Sequence, residues 1–130
     1  MQVAEITEQQ RRCVLDVLLP HAPAAIYVFG STGTDRQHEA SDVDIAVLRR
    51  FPLDPLVCFQ LAGALADALR CEVDLVDLSG ASTVLSKEVI RTGSVVYEAD
   101  ETLRQYFEMR TLSDYARLNE ERAEILRMVA

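Results

Sequence analysis

Basic charge is scarce in this chain: 13 lysines and arginines stand against 21 aspartates and glutamates, a formal net charge of −8. A protein that holds extended DNA or RNA does so mainly through phosphates and needs a basic surface. Direct nucleic-acid binding is therefore not expected, although an anionic nucleotide can still be held through metal ions. Histidine is limited to His21 and His38, and cysteine to Cys13, Cys58 and Cys71. The three thiols are odd in number, widely spaced and set in apolar stretches, with no Cys-Xaa-Xaa-Cys pair and no His/Cys cluster. That pattern argues against zinc and predicts reduced thiols in or near the core. No apolar run approaches the roughly 18 residues of a membrane span. The first ten residues carry Glu5, Glu8 and three glutamines rather than a signal-peptide pattern. The expectation is a cytoplasmic protein.

What is present suits one folded domain over residues 1–130: 49% of the residues are hydrophobic and 26% charged. Thr7 with Gln10 forms a capping box, and Cys13, Val14, Val17 and Leu18 recur at helical spacing before Pro20 and Pro23, predicting a helix over about 7–19. Residues 24–29 are apolar on both faces and rich in β-branched and aromatic side chains, as a buried strand is. A second strand is predicted over 42–48. Asp54-Pro55 opens a helix that runs to about Arg70. Residues 72–77 read as a strand that alternates over 72–75, with Glu72 and Asp74 on one face and Val73 and Leu75 on the other. A short helix closes at Gly93, and 94–98 read as a strand at a sheet edge. From about residue 100 the chain reads helical to its end, without glycine or proline. More than 25 residues is long for a helix in so small a domain, so its last turns (within about 100–130) are a candidate partner-binding element. The order α-β-β-α-β-α-β-α predicts an α/β (α+β) domain, a small mixed sheet with flanking helices and a long C-terminal helix.

The chemistry concentrates between residues 26 and 48. The first strand ends in Gly30-Ser31, where glycine lets the backbone approach a phosphate closely and the serine hydroxyl can donate to it. Ten residues separate Ser31 from Asp42-Val43-Asp44 at the head of the second strand. In an extended strand residues i and i+2 share a face, and two carboxylates held that close disfavour each other's charge unless a cation lies between them. If the third strand is a neighbour, Asp74 joins them. Three carboxylates around one point can hold two divalent cations that clamp the attacking and leaving oxygens of an in-line displacement.

Gly30-Ser31, the ten-residue spacing and Asp42-Val43-Asp44 resemble the signature of the polymerase-β-like nucleotidyltransferase superfamily. Val73-Asp74-Leu75-Val76-Asp77-Leu78, followed by residues 88–93 and Val96-Tyr97-Glu98, is similar to the minimal nucleotidyltransferase (MntA-like antitoxin) family. The resemblance implies that Asp42, Asp44 and Asp74 are the catalytic, metal-binding carboxylates for two Mg²⁺ ions, and that Gly30 and Ser31 grip the triphosphate of ATP. It also implies a partner, a helical HEPN-domain ribonuclease toxin, which members silence by transferring AMP to a tyrosine hydroxyl within a toxin–antitoxin complex. Many relatives carry a basic residue directly after the serine. Here Thr32 stands there, with Arg36 and Lys87 as candidate substitutes.

Single residues also have plain structural readings. Asp74 suits the acidic outward face of an edge strand, Glu72 and Asp77 suit solvated positions, Tyr106, Phe107 and Tyr115 suit helix packing, and Asp35, Arg36 and His38 suit a surface loop. Three functions compete. An adenylyltransferase antitoxin fits a chain with no acceptor domain of its own. A small-molecule nucleotidyltransferase of the aminoglycoside-modifying type fits the acidic surface and a cationic acceptor. A non-catalytic antitoxin would neutralise its partner by occlusion.

Overall fold

The computed structural model describes residues 6–30 and 43–129. The elements are α1 (Glu8–Leu18), a 3₁₀ turn (Leu19–His21), β1 (Ala25–Phe29), β2 (Val43–Leu48), α2 (Pro55–Leu69), β3 (Val73–Asp77), α3 (Thr83–Thr92), β4 (Ser94–Glu98) and α4 (Glu101–Val129). Each predicted element is present, with ends shifted by a residue or two. The capping box at Thr7 and Gln10 closes in both directions, and Asp54 accepts the amide of Leu56 ahead of Pro55.

The strands form one mixed sheet in the order β3-β2-β1-β4. β1 runs antiparallel to both neighbours, and β2 and β3 are parallel with α2 as their crossover. This order explains the composition of each strand. Central β1 is covered on both faces and is buried throughout, whereas edge strand β3 is only partly covered, with Asp74 exposed and Leu75 buried. Ile26, Val28, Ile45, Val47 and Leu75 face Val14 and Leu18 of α1 and Leu61 and Leu65 of α2. The other face carries Ala25, Tyr27, Phe29, Ala46 and Leu48 against Val89 of α3 and Leu103 and Phe107 of α4. The domain is thus three layers, with the sheet in the middle.

β4 is an edge strand, as expected from sequence, and has one extra residue relative to β1 at Val96. Its carbonyl takes the Arg11 Nε–H at 2.7 Å, which ties α1 to the bulge and satisfies part of an otherwise open edge.

The first half of α4 is fastened by a polar network under the sheet. Tyr27, 1% exposed, donates its hydroxyl to Glu108 Oε2 at 2.8 Å, and Arg104 Nη1 reaches the same oxygen at 3.0 Å. Arg104 Nε also pairs with Glu98 at the end of β4. Burial, then the Glu108 bond and charge, push the Tyr27 phenol well above its usual range. Arg104, between two carboxylates, is held more firmly charged. Beyond Leu118 the fastening stops. Residues 119–129 are all exposed, including Ile125 at 59%, Leu126 at 65% and Val129 at 74%. Thr111, Leu118 and Ile125 are spaced by sevens, so the packed stripe continues into a segment that no described residue covers.

Candidate active site

The site is assembled where β1 ends and β2 and β3 begin. Phe29, the last residue of β1, is the register partner of Asp44, and Asp44 is in turn the register partner of Asp74 on parallel β3. Register partners on adjacent strands share a face and lie about 4.8 Å apart across the ladder. Asp44 and Asp74 therefore project side by side from the face that also carries α3 and α4. The strand start is anchored by the Val43 amide on the Glu72 carbonyl at 3.0 Å. Asp44 is half-buried on a strand paired on both sides, whereas Asp74 is exposed on the edge.

Gly30 lies directly against Asp44. Its φ is +104°, a region that side-chain-bearing residues avoid. A Cβ added there would fall on Asp44 Oδ2 and lie 3.2 Å from its carboxyl carbon. The glycine is needed twice, for the turn and for the space the carboxylate occupies. Its own amide is not directed at a ligand: it donates to Thr92 Oγ1 at 3.3 Å, and the Thr92 hydroxyl donates to the Glu88 carbonyl at 2.8 Å. Gly93, next in sequence, brings the end of α3 against β1, since a Cβ there would lie 3.3 Å from both Phe29 Cβ and the Val28 carbonyl oxygen.

Of the residues expected from sequence, Gly30, Asp44 and Asp74 are brought together. Ser31, Thr32, Arg36 and Asp42 lie outside the described residues. Among the described residues no group of three potential ligands could hold a metal ion. Asp44 and Asp74 nevertheless supply two hard oxygen donors on one face, one of them open to solvent, which suits Mg²⁺. Lys87 rests over the Tyr115 ring, 4.6 Å from its centroid, on the seam between α3 and α4.

Two groups nearby, an acid and a thiol, have structural roles. Asp77 is half-buried. Its Oδ2 accepts the Leu53 amide at 2.8 Å, and its Oδ1 accepts from the Ser79 amide and hydroxyl. Cys58 points its thiol at the Leu75 carbonyl. Burial, then the charges of Asp77 and Asp74, push that thiol up, so it is a packed group rather than a nucleophile. Thr92 is not among the site residues expected from sequence; its signals there are its place just before a helix-ending glycine and within the 88–93 segment that carries the family resemblance.

The chain has known relatives. The family model "Polymerase beta, Nucleotidyltransferase" matches residues 15–102. The protein adenylyltransferase MntA of Shewanella oneidensis is 43% identical over 101 residues, 78% of this chain and 72% of that protein. A crystal structure of a toxin–antitoxin with AMP-PNP superimposes with a TM-score of 0.78 at 38% identity, covering 92% of this chain and 97% of the other. A tri-AMPylated Shewanella oneidensis HEPN toxin in complex with MNT antitoxin matches with a TM-score of 0.76 at 36% identity, covering 92% and 95%. With its carboxylate pair at the head of β2 and β3 and its glycine set against Asp44, the chain belongs to the polymerase-β nucleotidyltransferase family, among the small MntA-like members.

Proposed function

We propose that this chain is the antitoxin of a toxin–antitoxin pair and works as a Mg²⁺-dependent protein adenylyltransferase. Its substrates are ATP and a tyrosine hydroxyl of a HEPN-domain ribonuclease toxin, with which it forms a hetero-oligomer. The observation that carries the reading is the turn at Gly30 set directly on Asp44, with Asp74 beside it. The MntA relative is a protein adenylyltransferase, and related complexes contain AMP-PNP or an AMPylated HEPN toxin.

In the proposed reaction the tyrosine oxygen attacks the α-phosphorus of ATP. The new bond is tyrosyl O–P, the bond to the α,β-bridging oxygen breaks, pyrophosphate departs, and the phenolic proton passes to a carboxylate or to solvent. Mg²⁺, held by Asp42, Asp44 and Asp74, would neutralise charge on the triphosphate. Gly30 supplies the turn and the space for Asp44, and the Ser31 hydroxyl and amide are the donors assigned to phosphate. Asp74, exposed at the rim, is the carboxylate we assign to the incoming hydroxyl. Residues 119–129 of α4, with their uncovered apolar side chains, are assigned to partner binding.

Intact-mass analysis of the cognate toxin after incubation with this chain, Mg²⁺ and each nucleoside triphosphate tests the proposal. A gain of whole AMP units with ATP, absent in an Asp44→Asn plus Asp74→Asn variant, is the expected result. Label transferred to an aminoglycoside instead of the toxin rejects it. The uncovered end of α4 also favours a second reading, neutralisation by occlusion alone. That reading requires the double variant to protect fully.

No helix of the described residues is long and apolar enough to cross a membrane.

A further inference from the structure

We propose that Thr92 is a positioning residue for the nucleotide, acting through the turn at Gly30. The inference rests on the nucleotide reading of that turn given above.

Three observations carry it. The Gly30 N–H, the first backbone donor after β1, is engaged by Thr92 Oγ1 at 3.3 Å. Thr92 is only 8% exposed, and its hydroxyl is oriented from behind by donation to the Glu88 carbonyl at 2.8 Å. A hydroxyl has one proton, so donation to Glu88 leaves its lone pairs for Gly30 and fixes the direction of the pair. The end of α3 is also pressed against the end of β1 at Gly93, where there is no room for a side chain. Thr92 cannot move away from Gly30 without lifting α3 from β1. The tether thus holds Gly30 in place against Asp44, where the absence of a side chain leaves room for the carboxylate. It also withdraws the Gly30 amide from the set of phosphate donors.

The test compares Thr92→Val, which keeps the shape and removes the acceptor, with Thr92→Ser, which keeps the hydroxyl. Two quantities are read on the full chain: amide exchange of Gly30 without nucleotide, and the Kd for ATP with Mg²⁺. Loss of one hydrogen bond predicts Gly30 exchange faster by about 3- to 10-fold and ATP binding weaker by a similar factor in Thr92→Val. Thr92→Ser should restore both. Thermal melting of each variant identifies a folding defect, which would speed exchange at many amides rather than at Gly30 alone. Unchanged Gly30 exchange overturns the tether. Faster exchange with ATP affinity unchanged or improved overturns its role in positioning, because the released amide would then be a useful phosphate donor. A wild-type chain that binds no ATP, yet shows the Gly30 exchange effect, rejects the nucleotide reading and the nucleotide role of Thr92 while leaving the tether itself supported.

Discussion

Replacing Gly30 by alanine should damage the protein in two separable ways, and both follow from the position of one Cβ. At φ +104° a side-chain-bearing residue is strained by about 1–3 kcal/mol. The added carbon also falls on Asp44 Oδ2, so the carboxylate must rotate off its position, at about 0.5–1.5 kcal/mol if it leaves its preferred rotamer. The expected loss of folding stability is about 2–4 kcal/mol, read by urea unfolding. The functional loss should be larger in proportion, because displacing a catalytic group by about 1 Å can cost on the order of 100-fold. The assay is pyrophosphate release in the presence of the cognate toxin, ATP and Mg²⁺. Gly63→Ala is the matched control. Gly63 lies within α2, and a Cβ there meets nothing within 4 Å. Relieving the helix of a glycine should stabilise by about 0.5–1 kcal/mol and leave adenylation unchanged. If Gly30→Ala keeps wild-type stability and turnover, the reasoning that makes this glycine a space reserved for Asp44 is refuted.

Further outcomes follow from the same contacts. Asp74→Asn should leave the thermal midpoint within about a degree or two, because the side chain is exposed, yet lower adenylation by about 100-fold or more if it meets the acceptor hydroxyl; full activity removes Asp74 from the site. Tyr27→Phe should cost about 1–2 kcal/mol, because Glu108 loses a buried donor. The pH dependence has a definite sign. The folded-state pKa of Tyr27 is raised, so its contribution is complete below the unfolded value of about 10 and is lost as pH rises above that. Wild type should lose stability between about pH 10 and 11 more steeply than the Phe variant, measured by urea midpoints. Leu126→Asp in α4 should leave the melting curve unchanged and weaken capture of the toxin about tenfold or more; equal capture would move the docking surface elsewhere.

How much of this is legible in the sequence depends on the kind of signal. Alternation in residues 72–75 reports which face a residue takes, so the sequence alone sets Asp74 apart from Val73 and Leu75. The two-sided apolar character of β1 announces a central strand, and the lack of breakers after residue 100 announces α4. Faces do not identify neighbours, however. That Asp44 and Asp74 are register partners depends on β2 and β3 being parallel and adjacent, which no pattern within either strand encodes. Asp77 looks like any acid on an edge strand; its contact to Ser79 is local to the turn after β3, but its contact to Leu53 comes from the segment before α2, 24 positions away. The contact of Thr92 to Gly30 is silent in the sequence for the same reason: it spans 62 positions. Lys87, a candidate for the triphosphate cation, carries no local sign that it will rest on Tyr115.

The two carboxylates are held in different settings, and that difference bears on where the acceptor enters. β2 is hydrogen-bonded on both sides, so Asp44 is framed by β1, β3 and the turn at Gly30. β3 has a neighbour on one side only, and Asp74 stands at an open rim. A nucleotide held beneath the turn would occupy the framed side, which leaves the β3 side for the incoming hydroxyl. Under the proposed function the acceptor surface on that side belongs to the toxin, which must carry its tyrosine to Asp74. Docking and catalysis then select for the same fit, and a toxin that binds well but presents its tyrosine poorly would be occluded without being modified.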